Sequence, residues 1–353
     1  MNYEEAMQYI HAVQWAGHKP GLTRTRTLLA ALGDPHKRLK FVHVAGTNGK
    51  GSTAAMLASC LQAAGYRVGL YTSPFINRFN ERIQVNGEQI SDEELVRLVE
   101  TIRPAADAMA DVPTEFEIIT ALGMLCFAEQ HCDIVVLEVG LGGALDSTNV
   151  IDPPECAVIT ALGMDHVKEL GPTIADIAAA KAGILKPGSP VVSYGGVPEA
   201  DAVIARTAAE QNAPLHVVDF SKLTVEGGDL DEVTFDFDGL NGVRLPLIGG
   251  HDAEQKVVFL LSIMADKDVD EMLELLLPLA NRFVTVAAHT PRAMPAETLA
   301  EHIRVRGGTA EPAPSIEAGV ARAVELGGTG PVCALGTLYF SGEVREAFRK
   351  IQT

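Results

Sequence analysis

Residues 41–53 read FVHVAGTNGKGST. Phe41, Val42 and Val44 form a short apolar run that reads as a buried strand. The chain then turns through Gly46, Thr47, Asn48, Gly49, Lys50 and Gly51, and from Ser52 to Ala64 apolar residues recur at helical spacing. Strand, glycine-rich turn, basic residue, hydroxyl and helix make the layout of a phosphate-binding loop. Small residues let backbone N–H groups converge on an anion, the helix N-terminus adds partial positive charge, and Lys50 supplies a full one. The common G-x-x-x-x-G-K-[ST] form is not matched, because Val44 stands five before Gly49 and Gly51 separates Lys50 from Ser52. A plain glycine-rich turn accounts for Gly46 and Gly49 but not for Lys50 and Ser52 as well. Nucleotide phosphate binding is therefore expected here.

Working outward, 353 residues exceed one average domain, so two are expected. Hydrophobic residues at 47% against 21% charged residues indicate a globular chain with a substantial core. A net charge of −18 argues against a nucleic-acid surface and requires a local basic pocket for any anionic substrate. The five cysteines form no C-x-x-C pair and read as free thiols of a reducing cytoplasm. The start, MNYEEAMQYI, lacks the basic-then-apolar pattern of a signal peptide, and no window reaches the ~18 apolar residues that span a bilayer. The expectation is a soluble cytoplasmic protein without membrane partners.

Helices are expected over Tyr3 to Ala16 and Arg24 to Ala31, and a strand over Val68 to Tyr71 that runs into Thr72-Ser73-Pro74-Phe75. Glu81 to Gln89 reads as a hairpin around Asn86-Gly87, and Ser91 with Glu94 as a capping box for a helix to about Met109. A helix over Glu115 to Gln130 precedes the apolar strand Ile134 to Glu138. Strands at Ala157 to Thr160 and Pro190 to Ser193 flank a helix from Ile174 to Leu185. This alternation predicts an α/β fold: a P-loop-containing, doubly wound, mostly parallel sheet with ligands at the carboxyl ends of its strands. Short acidic β-like pieces follow from Phe220 to Pro246, then a hinge near His251, then a smaller Rossmann-like α/β pattern. Its strands are expected at Lys256 to Leu261, Phe283 to Ala287 and Val332 to Leu335. Its helices are expected at Val269 to Leu276, Ala296 to Ile303 and Ile316 to Leu326, with one more at the end. The expected divisions are 1–246, a linker at 247–255, and 256–353.

Three side chains invite chemistry but are ambiguous singly. Glu138 ends an apolar strand before Gly140, Gly142 and Gly143, where a carboxylate can reach a metal on nucleotide phosphates or simply face water. His166 follows another strand and is either structural or at the same rim. Lys181, among Ala178, Ala179, Ala180, Ala182 and Gly183, is either approached closely by another group or exposed.

Together the motifs are more specific. GTNGKGS at 46–52, YTSPF at 71–75, EVGLGG at 138–143, LDSTNV at 145–150, GMDH at 163–166 and KAGILKPG at 181–188 occur in the order of one family. MADKD at 264–268, PRAM at 291–294 and GTLYFSGEVR at 336–345 extend the match. The chain resembles the folylpolyglutamate synthase/dihydrofolate synthases of the Mur-ligase type, from Met1 to about His251 and again from about Val257. That resemblance implies ATP-dependent addition of L-glutamate to dihydropteroate or folate through an acyl phosphate, with ADP and phosphate released. It implies that Thr47, Asn48, Gly49, Lys50, Gly51 and Ser52 hold the ATP phosphates, and that Ser73, Glu138 and His166 hold Mg²⁺. Lys50, Lys181 and His166 are implied in catalysis, Lys181 in a carbamylated form that serves a second Mg²⁺. Arg82, Thr114, Glu117, Thr120 and Asp146 fall on the substrate side, and a monomer is the family expectation.

Two departures stand out. Ala144 replaces the arginine of G-L-G-G-R-x-D, and His251 leads through Asp252-Ala253-Glu254-Gln255-Lys256 directly to the next strand. The family's H-Y-Q-x-x-N, P-G-R and D-G-A-H-N-P motifs are missing there, as if an internal segment were deleted. Besides the ligase, the sequence is therefore compatible with a nucleotide-binding relative impaired in catalysis. A Mur-type ligase for another substrate is disfavoured by GKGS and TSPF, and a P-loop GTPase by the lack of N-K-x-D.

Overall fold

Eight strands form the principal sheet: β1 (Phe41–Ala45), β2 (Val68–Tyr71), β3 (Ile83–Val85), β4 (Glu88–Gln89), β5 (Ile134–Glu138), β6 (Cys156–Ile159), β7 (Val191–Ser193) and β8 (Leu215–Val217). The structure, a computed structural model, describes residues 1–12, 21–228, 232–245, 256–265, 267, 269–328 and 330–352. Strand order is β4-β3-β2-β5-β1-β6-β7-β8. All neighbours are parallel except the β2–β3 and β3–β4 pairs. The β3–β4 turn has Asn86 at φ 49° and Gly87 at φ 80°, the two positive angles that a tight hairpin of matching twist requires.

From β1 the chain goes to one side for β2 and β5 and to the other for β6, β7 and β8. This reversal opens a crevice at the carboxyl end of β1. Val42, Val44, Leu70 and Val136 pack against Ala54 and Ala58 of α3 (Lys50–Ala63), to which the strand's alternation commits them, while Phe41, Val135 and Leu137 face the opposite layer. That layer contains α1 (Tyr3–Ala12), α2 (Thr23–Ala31), α4 (Asp92–Asp107) and α5 (Glu115–Glu129), in which every residue from Glu117 to Ala128 is buried.

Several boundaries differ from the sequence reading. The helix expected to reach Leu185 is α7 (Ile174–Ala182); past it, Ile184 and Leu185 donate to Lys181 and Ala182 carbonyls in tight turns around Gly183. A short α6 (Val167–Leu170) precedes it. A further helix α8 (Pro198–Glu210) and the edge strand β8 complete the sheet; the sequence reading passed over both, since the helix is alanine-rich and the strand only three residues long. Ser91 Oγ accepts the Glu94 N–H at 3.1 Å, but the Glu94 carboxylate pairs with Arg97 rather than closing the expected box. The helix expected to extend to Ala16 is described to Ala12; residues 13–20 lie outside the described set.

The chain divides into two compact units, Met1–Val218 and Asp219–Thr353. The sequence pattern places its division at 246 instead. Between the two points lies an antiparallel sheet of β9 (Leu223–Gly228), β10 (Val233–Phe237) and β11 (Leu240–Leu245), whose strands pair with one another in a sheet separate from the first. The 247–255 linker, with His251 and the proposed deletion point, lies outside the described residues.

In the second unit β12 (Val257–Leu261), β13 (Ala280–Thr285), β14 (Ala310–Pro312) and β15 (Val332–Leu335) form a parallel sheet in the order β14-β13-β12-β15. Alternation along β12 sends Val257, Phe259 and Leu261 toward α9 (Val269–Leu276) and α10 (Ala296–Val305). It sends Val258 and Leu260 toward α11 (Ile316–Gly327) and α12 (Leu338–Gln352). Helices thus cover both faces, as a doubly wound parallel sheet requires. Among the described residues no helix is long and apolar enough to cross a membrane.

Candidate functional site

Four loops leave the carboxyl ends of β2, β5, β1 and β6, which are consecutive in the sheet. The loops after β1 and β6 are stitched together. Thr47 and Asn48 N–H groups donate to Ala161 O at 3.0 and 3.1 Å, and Thr47 Oγ1 donates to Gly163 O at 3.0 Å. Gly46 has φ 152°, and a Cβ there would lie 1.8 Å from Thr160 Oγ1, so no side chain fits. Gly49, at φ 82°, starts α3 without a side-chain cap, leaving the first-turn N–H donors free to face an anion.

Two ammonium groups converge on this loop. Lys50 Nζ donates to Gly46 O and Thr47 O, each at 3.1 Å, and Lys181 Nζ donates to the same Gly46 O at 2.7 Å. Lys181 is buried, which excludes the exposed alternative. Burial, aided by the Lys50 charge, pulls its pKa down to about 8, against the pull of Asp165 and Asp146.

Glu138 ends β5 beneath the loop. It is 3% exposed, and one oxygen accepts the Ser73 N–H at 3.0 Å. A Cβ on Gly51 would lie 3.5 Å from its carboxylate, in ordinary contact, so the first turn of α3 stands directly against Glu138. Burial pushes the Glu138 pKa up to about 7, despite the Ser73 N–H and the charges of Lys50 and Arg82; Asp146 raises it further. Arg82 is itself buried. Its guanidinium lies 5.3 Å from the Phe75 ring centroid and 5.7 Å from that of Phe79, and Nη1 donates to Ser73 Oγ at 3.2 Å. Its Nε has no hydrogen-bond partner. The two phenylalanines escape a reading based on charged residues, yet they hold the arginine toward the rim.

Asp146 anchors the glycine loop after β5. Its Oδ2 accepts from Gly140 N–H at 3.1 Å and Leu141 N–H at 2.9 Å, and its Oδ1 accepts from Thr148 N–H at 3.0 Å and Thr148 Oγ1 at 2.5 Å. Burial raises its pKa, with these donors opposing. The loop packs against the end of α7: a Cβ on Gly183 would lie 2.3 Å from that of Ala144, and Asn149 Nδ2 donates to both Ala144 O and Gly183 O.

Thr114, Glu117 and Thr120 lie together along the first turns of α5. Thr114 and Glu117 form its reciprocal capping box, and Glu117 also accepts from Arg24 Nε at 3.0 Å. Thr120 Oγ1 donates to Phe116 O and lies 3.3 Å from Tyr71 OH. His166 sits apart from Glu138 in its contacts. It is half-exposed at φ 50°, and its Nε2 lies 3.7 Å from Asp165 Oδ2. Asp165, whose charge acts on Lys181, is a site residue that the sequence reading did not single out; its place between Met164 and His166 in GMDH was the available signal.

Among the described residues no three His, Cys, Asp or Glu side chains cluster as a ready metal cage. The donor chemistry nonetheless suits a cation shared with an anionic ligand. A buried carboxylate, with a single protein N–H on it, stands beside hydroxyls and a helix N-terminus.

Comparison with known proteins agrees with this arrangement. Residues 44–254 match the Mur ligase middle domain. The chain belongs to the Mur ligase family, in its folylpolyglutamate synthase/dihydrofolate synthase branch. It is 45% identical over 270 residues to the dihydrofolate synthase/folylpolyglutamate synthase of Bacillus subtilis, a match covering 74% of this chain and 63% of that protein. The apo form of L. casei FPGS superposes with a TM-score of 0.81 at 30% identity, covering 99% of this chain and 100% of that one. Mycobacterium tuberculosis folylpolyglutamate synthase complexed with ADP gives 0.86 at 25% identity over 98% of each. By sequence the chain thus spans about 63% of the length of this curated relative, while the likeness of fold runs on through the second unit.

Proposed function

We propose that this Mur ligase family member is an ATP-dependent, ADP-forming ligase that adds L-glutamate to dihydropteroate or a folate. The observation that carries the reading is the charge placement at the carboxyl ends of β1 and β5. There, two lysines share the Gly46 carbonyl and a buried carboxylate with a raised pKa stands beside Gly51. A carboxylate accepts an amine poorly because oxide is its leaving group, and phosphorylation supplies a better one. Phosphoryl transfer needs positioning and charge neutralisation more than covalent help.

In this reading the N–H groups from Gly49 to Ser52 receive the ATP phosphates, Thr47 and Asn48, whose N–H groups are held by Ala161 O, fix the loop around them, and Lys50 rotates from the Gly46 and Thr47 carbonyls to neutralise them. Ser73 and Glu138 would hold Mg²⁺, with His166 reaching toward it from the loop after β6 on the far side of β1, and the ion would supply further neutralisation when bound. Arg82 presents a guanidinium to an anionic substrate. Thr114, Glu117 and Thr120 shape the substrate side of α5, and Asp146 holds the intervening loop. Lys181, its pKa drawn toward neutrality, has the amine reactivity that carbamylation requires. Residues 1–246 supply nucleotide chemistry and 256–353 the partner region, in a monomer working in the cytoplasm, where its five free cysteines stay reduced.

A second reading, binding without turnover, is favoured by the direct passage from His251 to Lys256 without the family's intervening motifs. One experiment separates them: ADP release with Mg²⁺, L-glutamate and dihydropteroate, on protein whose intact mass is 37.5 kDa. Release that requires both co-substrates supports the ligase. ATP binding without release supports the second reading.

A further inference from the structure

His43 lies in the middle of β1, fully buried, and the proposed reaction gives it no task. Its Nε2 is 2.9 Å from Thr148 Oγ1, which is 2.5 Å from Asp146 Oδ1, and its Nδ1 has no hydrogen-bond partner. These contacts fix the proton positions. A threonine hydroxyl has one proton. Asp146, accepting from two loop amides and from the Thr148 N–H, acts as an ionised acceptor and takes that proton too. Thr148 Oγ1 can then only accept from the ring, so Nε2 carries the hydrogen and Nδ1 is a bare lone pair. The reverse order, with Asp146 protonated and Thr148 donating to Nε2, would place an N–H on Nδ1 with no protein acceptor beside it, at the cost of a buried unpaired donor.

We infer that His43 is a positioning residue: as the neutral Nε2–H tautomer it aims the Thr148 hydroxyl at Asp146, and thereby pins the Gly140–Asp146 loop that follows Glu138. Strand β1 thus feeds the site twice, through the loop at its end and through this lateral relay to the neighbouring loop. Burial, which lowers the His43 pKa to about 3, keeps the ring neutral across working pH. The consequence for turnover rests on the proposed ligase reading; the relay itself does not.

The first test is the ¹⁵N spectrum of His43 in the intact protein. The inference requires an Nε2–H, bare-Nδ1 pattern unchanged between about pH 5.5 and 8. An Nδ1–H tautomer, or titration in that range, overturns it. The second is amide hydrogen exchange at Gly140 and Leu141. His43→Leu removes the donor and is expected to speed exchange there about tenfold over other first-unit amides, in keeping with the loss of one buried hydrogen bond. His43→Gln keeps an N–H near the Nε2 position and is expected to restore exchange to within about threefold of the parent. Unchanged exchange in His43→Leu, or a His43→Gln variant as fast as it, overturns the inference. If His43→Leu does not fold, the tautomer in the parent protein still decides. Neither readout needs turnover, so absence of ligase activity would remove the functional reading and leave this one standing.

Discussion

The two parallel sheets are wound by the same rules yet treat charge in opposite ways. In the first unit Arg82, Glu117, Glu138, Asp146 and Lys181 are all buried, two of them, Glu138 and Asp146, at the end of β5 and on the loop that follows it. In the second unit the buried polar side chains among the described residues are Ser262 and Thr285. Its charges stand toward the surface in pairs such as Arg304 with Glu297 and Arg322 with Glu311. A buried charge is retained against its desolvation cost when something compensates it. Glu117 has Arg24, but Glu138 has one N–H and Lys181 a carbonyl, so their missing compensation is assigned to the ligand. The contrast singles out the region to which the proposed function points, without reference to any motif.

The contrast breaks most readily at Lys50. Lys50→Ala should lower ADP release by about 10⁴-fold, on the order of 5 kcal/mol of transition-state stabilisation, with little change in unfolding temperature. An unchanged rate would detach the loop after β1, on whose Gly46 carbonyl Lys50 and the buried Lys181 meet, from the chemistry. In the second unit the large effect should be on stability: Phe283→Ala, emptying a fully buried ring position that stacks on Phe259, should cost about 3–5 kcal/mol in urea unfolding. That loss should be nearly independent of pH below about 8, because the one titratable side chain of its core cluster is the Cys333 thiol, whose pKa burial raises.

Glu138 sharpens the comparison through pH. Its folded pKa of about 7 lies above the ordinary 4.5, so the fold favours the protonated acid. That contribution is fully present below about pH 4.5 and is lost as pH rises through 7; above 7 the native state carries a carboxylate that the unfolded chain solvates better. Glu138→Gln should therefore stabilise the protein at pH 8 by about 1–3 kcal/mol, with the gain shrinking toward pH 5, while ADP release is lost. Denaturant titrations at the two pH values decide it, and a destabilised variant at pH 8 would contradict the site's electrostatics. The smallest effect belongs to the surface: Glu311→Gln, which parts a half-exposed ion pair with Arg322, should shift stability by less than about 0.5 kcal/mol.

Much of this architecture follows from short-range pattern. Phe41 to Val44, Val68 to Tyr71, Ile134 to Glu138 and Val332 to Leu335 declare their strands by apolar runs. Asn86-Gly87 declares its turn by the only φ angles that close it. The glycine-lysine-serine loop announces an anion because the needed groups are adjacent in the chain. Pattern was silent on β8, too short to show a period, and on the end of α7, where alanines continue a helical composition into non-helical turns.

Tertiary structure alone decided who meets whom. Lys181 reaches Gly46 O across 135 residues only because β6 lies beside β1, and Glu138 meets Ser73 only because β5 is inserted between β1 and β2. Thr114 and Glu117 read as substrate-side residues by resemblance, and packing shows the helix cap and the Arg24 pair that occupy them. His43 is an ordinary strand residue until the sheet brings Thr148 to its side. Propensity and turn chemistry act over a few residues, so they are written locally. Strand order, burial and the shifted pKa values they produce depend on contacts between distant segments, and no local pattern contains them.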